Sequence, residues 1–228
     1  YRRVEYYEED RAYQGTAGSS EADRCHLNSW RDLQVNETID LFSPDPAAAD
    51  GQVRAGLYGN SNLAFGDAAR RVRVVVNNGA SDLVVGTPDL RTVTQTVIGT
   101  GQTVSGAFLA AAPTVTVRVT PDPVELGKNL YSYLDWVEIS YQALYRARDN
   151  GLLFHGGEAS GDRDLEVAGF TRAHIDLIEI TDPRQPRRVS LAPANLVADG
   201  PAWKLSLRVP QPDGSPRRFV ALADLAGG

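Results

Sequence analysis

The 228-residue sequence predicts an all-β protein: a jelly-roll β-sandwich followed by a smaller β-sandwich. Three observations carry that expectation. Apolar and polar residues alternate with a period of two in several stretches, and no long stretch shows helical periodicity. Thirteen prolines and 21 glycines also break the chain at short intervals, as turns between many short strands require.

Taken in order, the first 30 residues stand apart as an N-terminal arm: charged and aromatic (YRRVEYYEEDRAYQG), then small and polar (TAGSSEAD). Tyr1, Arg3, Glu5 and Tyr7 alternate with Arg2, Val4 and Tyr6, which suits an extended arm laid along a sheet. A short helix is the alternative, and the residues alone do not separate the two. A short strand is expected at 36–42. Val53, Ala55 and Leu57 then alternate with Gln52, Arg54 and Gly56, and Val72, Val74 and Val76 with Arg71 and Arg73. The second of these runs stops at Asn77-Asn78-Gly79, a tight-turn signal. Short strands follow at 81–85, 90–98 and 103–109. In Pro113 to Thr120 (PTVTVRVT), Val115, Val117 and Val119 share one face and Thr116 and Arg118 the other, the pattern of a half-buried strand.

A further strand is expected at 133–145, and Asp149-Asn150-Gly151 marks a boundary. The jelly roll therefore covers 31–148 and the smaller sandwich 149–228. Within the latter, strands are expected at 151–154, 164–168, 174–181, 187–191 and 217–223. Leu205, Leu207 and Val209 also alternate there with Lys204, Ser206 and Arg208. Loops are expected at Gly156 to Asp164 (GGEASGDRD) and Asp182 to Pro186. Tyr133–Ser140 (YLDWVEIS) echoes His174–Thr181 (HIDLIEIT), each with an acid inside an apolar strand. A single echo reads as two strands of similar hydrophobic demand, not as a repeat array.

Composition narrows the function. A net charge of −6 and a pI near 5.1 argue against nucleic acid or an anionic membrane surface as partner. The apolar runs are too short to span a bilayer. One cysteine excludes an internal disulfide and a cysteine zinc cage. Without methionine, Tyr1 is not a translation start, so the chain is expected to be an excised or processed piece.

No G-x-S-x-G, P-loop or H-E-x-x-H motif is present, so this segment is not expected to be an enzyme. Cys25 and His26 are adjacent, and neighbours on an extended strand point to opposite faces, which makes a poor thiol–imidazole dyad. His155 and His174 are distant in sequence. No cofactor is expected beyond a structural calcium, for which oxygen ligands are the requirement. Asp162 and Asp164, in a glycine-rich loop, and Asp135, inside an apolar strand, are the metal candidates. An arginine partner is the plainer account of Asp135, because an unpaired buried carboxylate is expensive. Sugar binding would need aromatic platforms; the candidates are Trp30, Tyr58, Tyr131, Tyr133, Trp136 and Trp203. Of these, Tyr58 with Asn60 and Asn62 forms the candidate ligand loop, whereas Trp136 is expected to fill core.

Several segments, in order, resemble one family. Arg70 to Asn77 (RRVRVVVN) resembles an H-R-V-R-V-x-V-N-G strand and turn. Tyr133 to Tyr141 (YLDWVEISY), followed by Tyr145-Arg146-Ala147-Arg148, resembles a Y-L-D-Y-V-E-L-x-Y strand and its basic follower. Ile180-Thr181-Asp182-Pro183, with Pro186 and Val189, resembles a D-I-T-D-P-x-x-P-x-x-V segment, and Tyr1 to Gly15 resembles a tyrosine- and acid-rich lead-in. This order is similar to the non-catalytic β-rich region that precedes the caspase-like domain in gingipain-type cysteine peptidases (peptidase family C25), including those linked to type IX secretion. The resemblance implies that the catalytic His and Cys lie beyond Gly228, and none of the family's catalytic residues carries over to this chain. It also implies a downstream caspase-like peptidase domain as partner, in the cell envelope or outside the cell. A rival resemblance sets YLDWVEIS beside the last strand of galactose-binding-like jelly rolls. It implies a carbohydrate-binding module with Asp135 near a structural calcium. A purely adhesive surface module is a third reading.

Overall fold

Along Thr114–Pro121 every second residue is withdrawn from water, with Val115, Val117 and Val119 inward and Thr116 and Arg118 outward. Pleated strands with one solvated face behave in this way. The computed structural model describes residues 1–8, 12–13, 25–26, 28–31, 35–59, 70–90, 95–99, 103–122, 131–156, 161–210 and 215–223. The chain divides into two compact units: Arg2–Ala143, and Leu144–Gly228 together with Tyr1.

The first unit contains β1 (Arg2–Glu8), β2 (Ala12–Tyr13), β3 (Cys25–His26), β4 (Asn28–Arg31), β5 (Val35–Asp40) and β6 (Gln52–Gly59). It continues with β7 (Arg70–Asn77), β8 (Asp82–Gly86), β9 (Asp89–Leu90), β10 (Gln95–Gly99), a helical turn α1 (Gly106–Leu109), β11 (Thr114–Pro121) and β12 (Tyr131–Gln142). One antiparallel sheet runs β1-β12-β6-β10, with β4 also on β12; the other runs β5-β11-β7-β8, with β9 also on β7. Val53, Ala55, Leu57, Val137 and Ile139 of the first sheet and Val72, Val74, Val76 and Val117 of the second are buried, forming the core of the expected jelly-roll sandwich.

The opening segment takes the extended alternative. β1 pairs along β12 from Arg2 opposite Gln142 to Glu8 opposite Trp136. Tyr141 fastens it: the buried phenol donates to Glu5 Oε1 at 3.1 Å and accepts from the Phe42 N–H at 2.9 Å. Arg3 pairs with Glu5 and lies over the Phe42 ring. Burial pushes the Tyr141 phenol well above its ordinary value, so it stays a donor at any physiological pH.

The Asn77-Asn78-Gly79 signal is the turn between β7 and β8. Gly79 sits at φ +86°, and Asn77 Oδ1 accepts its N–H at 2.8 Å. Two expectations for strands change. Only Val104 of 103–109 pairs as a strand, in a bridge with Gly51, while Gly106–Leu109 forms a helical turn. Ser105 Oγ caps that turn by accepting the Phe108 N–H at 3.2 Å. A short run with Val104, Phe108 and Leu109 does not distinguish strand from helix by periodicity. Of the expected strand at 90–98, Leu90 pairs with β7 as part of β9 and 95–98 pair with β6 as part of β10, while 91–94 lie outside the described residues.

The second unit contains β13 (Gly151–His155), β14 (Arg163–Phe170), β15 (Ile175–Glu179), β16 (Arg187–Val189), a 3-10 turn (Pro193–Asn195), β17 (Leu196–Asp199), β18 (Ala202–Val209) and β19 (Arg218–Ala223). Its sheets run β13-β19-β15-β16 and β14-β18-β17. Leu152, Phe154, Leu177 and Phe219 of the first, with Phe170, Leu205 and Val209 of the second, make the core of the smaller sandwich. Asp149 and Asn150 both have positive φ, 52° and 63°, while Arg148 and Gly151 exchange two backbone hydrogen bonds of 2.9 Å. They form a two-residue hairpin turn of the type that matches strand twist, and Asn150 Oδ1 also accepts the Thr171 N–H at 2.7 Å.

Candidate functional site

The site grows from one irregularity in β12. Its pairing with β6 shifts register between Leu134, opposite Leu57, and Trp136, opposite Gly56. Asp135 is the extra residue of this bulge. In a regular strand Leu134 and Trp136, two residues apart, would share a face; with the bulge, Leu134 is fully buried while Trp136 turns to the outer face, partly exposed. The expectation that Trp136 fills core is therefore corrected.

Gly56 makes room for the indole. A Cβ at Gly56 would stand 2.4 Å from Trp136 Nε1 and 2.7 Å from Cε2, so the ring lies against bare backbone. On the same face the Arg54 guanidinium reaches over the ring, 5.7 Å from its centroid, and pairs with Glu138 Oε1 at 3.2 Å. Register accounts for this grouping, because Glu138 is opposite Arg54 just as Trp136 is opposite Gly56. Chemically, the patch offers an aromatic plate beside one cation and one carboxylate. Sequence inspection missed Gly56, Arg54 and Glu138 as a group.

The other predicted residues divide as follows. Asp135 is 6% exposed within the bulge. Asp162 and Asp164 flank a cation: Asp162 Oδ2 accepts from Arg208 Nε at 3.0 Å, and Asp164 is opposite Arg208 across β14 and β18. The Asp162 hydrogen bond, helped by the charges of both acids, raises the Arg208 pKa. Among the described residues no group of three His, Cys, Asp or Glu side chains stands close enough together to hold a metal. Asn60 and Asn62 lie outside the described residues, and Tyr58 sits in β6 opposite Tyr133. Trp30 is opposite Ser132, and Trp203 is opposite Phe170. Cys25 and His26 form β3, paired with Tyr13 and Ala12.

In the second unit, the His155 ring meets the Tyr1 ring edge-on at 6.1 Å. Exposed His174 stands at a pocket of about 440 Å³ that Asp176, Arg188, Ser190 and Leu196 also line. Asp176 is ion-paired there with Arg188. The echo between the two acid-bearing strands thus has two different causes, a buried bulge at Asp135 and a surface ion pair at Asp176.

No protein-family model matches the chain, and no curated protein matches it. Among solved structures it is similar to part of dimeric latent PorU from Porphyromonas gingivalis, with a TM-score of 0.65 and 9% identity. That match covers 97% of this chain and 20% of the PorU chain, so this chain spans about a fifth of PorU's length. At such identity the likeness is one of fold. Two further matches are looser. A structure of infectious bursal disease virus, Gt strain, has a TM-score of 0.32 and 10% identity over 96% of this chain and 40% of that one. The CBM22-1–CBM22-2 tandem of Paenibacillus barcinonensis Xyn10C has 0.29 and 12% over 99% and 84%. Neither bears on the argument. No helix among the described residues is long and apolar enough to cross a membrane.

Proposed function

We propose that this chain is a non-catalytic accessory or pro-region of a secreted gingipain-like cysteine peptidase. It supports folding, inhibition or substrate orientation of a caspase-like domain elsewhere in the parent protein. The observation that carries the reading is the fold shared over nearly the whole chain with a part of dimeric latent PorU. It agrees with the order of the segments around Arg70–Asn77, Tyr133–Tyr141 and Ile180–Val189. On this reading the protein works in the cell envelope or outside the cell.

A second reading, a carbohydrate-binding module, is favoured by one observation: Trp136 faces outward beside Arg54 and Glu138. A sugar ring would stack on the indole while its hydroxyls meet the charged pair. Arg54 would have to leave the ring, forfeiting about 0.5–1 kcal/mol. One experiment addresses both readings: the 228-residue chain is assayed for peptide hydrolysis and titrated with soluble oligosaccharides. Neither hydrolysis nor heat is expected. Hydrolysis would overturn the non-catalytic reading, and heat that disappears in Trp136→Ala would establish the second.

A further inference from the structure

The ladder of the β13-β19-β15-β16 sheet ends unevenly. In an antiparallel sheet a residue turns both its N–H and its C=O towards one neighbour, and successive residues alternate sides. The Ala223 N–H donates to the Asn150 carbonyl and the Gly156 N–H to the Arg217 carbonyl, so the odd residues of β19 bond to β13. Its even residues bond to β15, as the 2.8 Å bond from the Ile180 N–H to the Arg218 carbonyl shows. Asp176 and Ile178 are thereby committed to β19, while Ile175, Leu177 and Glu179 turn towards β16. Leu177 meets Val189 there, and Glu179 meets Arg187. In that register Ile175 would meet Leu191, but β16 stops at Val189. Among the described residues no backbone group on that side bonds to the N–H or C=O of Ile175.

Ile175 is only 5% exposed, and buried main-chain groups are nearly always paired. Beside it lies the pocket of about 440 Å³, where β16 has parted from β15. Ile175 and Asp176 line one side, and Val189, Ser190, Leu191 and Leu196 the others. That volume is within the roughly 300–1,000 Å³ of ligand sites. We propose that the gap receives an extended peptide segment of a partner protein, which adds to β15 as a short antiparallel strand. One residue of such a strand answers both open groups: its N–H donates to the Ile175 carbonyl, and its carbonyl accepts the Ile175 N–H.

Strand alternation fixes the chemistry of that segment. The residue opposite Ile175 points inward as Ile175 does, towards Val189, Leu191 and Leu196, so an aliphatic side chain fits it. Its neighbours point to the outer face. There Asp176 keeps a second carboxylate oxygen besides the one bonded to Arg188, and Ser190 carries a hydroxyl. Hydroxyl side chains suit those flanks, and because Asp176 and Arg188 neutralise each other, an uncharged segment matches the pocket. Such a peptide site is additional to the accessory reading, which stands whether or not a peptide binds here.

Amide exchange and chemical shifts of the isotope-labelled 228-residue chain test this. Without peptide, the Ile175 N–H should exchange at least about tenfold faster than the Leu177 N–H, which is bonded to β16. The probe is the blocked peptide acetyl-Thr-Leu-Thr-amide, with an expected dissociation constant on the order of 1 mM. At saturation the Ile175 exchange should slow at least about tenfold, with shifts at the amides of Ile175, Ser190 and Leu191. Methylating the leucine nitrogen of the probe removes its donor to the Ile175 carbonyl and should weaken binding about tenfold. Leu191→Asp should weaken it as much, with circular dichroism checking the fold; the methylated probe decides the matter if that variant does not fold. Slow exchange at Ile175 in the free chain would overturn the proposal, because its N–H would already be paired. Absence of any shift at about 10 mM probe would overturn it too, as would binding that methylation leaves unchanged.

Discussion

At Asp135 strand β12 takes one residue more than β6, so Leu134 and Trp136 leave the strand on opposite faces. Leu134 and Val137, both inward, are three residues apart, an odd spacing that an unbroken strand does not allow. That phase slip was legible in YLDWVEIS, but simple alternation passes over it. The grouping of Arg54, Gly56, Trp136 and Glu138 was not legible, because cross-strand register depends on where two distant segments align. The same limit applies to Asp162 and Asp164: their place beside Arg208 comes from the pairing of β14 with β18, which two acids in a glycine-rich loop do not announce. Gly56 provides the residue-scale prediction. Gly56→Ala must push the indole off its backbone seat, at a cost of about 1–3 kcal/mol. Thermal unfolding should show that loss, with tryptophan emission shifted to longer wavelength as the ring enters water. Unchanged emission and stability would mean that the indole does not rest on Gly56.

Among the elements, those with clear alternation were readable: β11 and β18 bury alternate residues, and β6 and β7 bury Val53, Ala55, Leu57 and Val72, Val74, Val76 as their sequences require, with Gly56 and Val75 buried as well. The helical turn after Ser105 was not, since its formation depends on a cap and on Gly106. A Cβ at Gly106 would lie 1.8 Å from the Asp45 carbonyl oxygen. The β15–β16 hairpin, which carries the Thr-Asp-Pro segment, is anchored by Glu179. Its carboxylate takes two bonds from the Arg217 fork, one of them 2.8 Å from Nε, and a third from Thr181 Oγ1 at 3.0 Å. The Arg217 bonds hold the Glu179 pKa below its ordinary 4.5 despite partial burial. A lowered acid pKa adds stability that is complete above the ordinary value and is lost as pH falls through the folded one. Glu179→Gln should therefore lower stability at pH 7 by on the order of 1–2 kcal/mol. Its acid-denaturation profile should also be flatter below about pH 5 than that of the wild type. Chemical denaturation across that range checks the effect; parallel profiles would show that the ion pair contributes nothing to the fold.

For the whole molecule, the all-β class and its two successive sandwiches follow from alternation and turn residues, and the structure has both. Register between segments far apart in the chain is set by burial and pairing in three dimensions, so the Trp136 face does not appear as a run of neighbours in sequence. Function is further removed still, because a sandwich serves equally as a scaffold, an inhibitor or a sugar binder, and the choice rests on sites grafted onto it. The accessory reading makes one demand that neither rival makes: a peptidase must depend on this chain. The most direct measurement is peptide hydrolysis by the parent coding frame, expressed with and without residues 1–228. The account predicts hydrolysis from the whole, a loss of about tenfold or more without these residues, and none from the chain alone. A parent frame without peptidase activity, or one equally active without the chain, would contradict it.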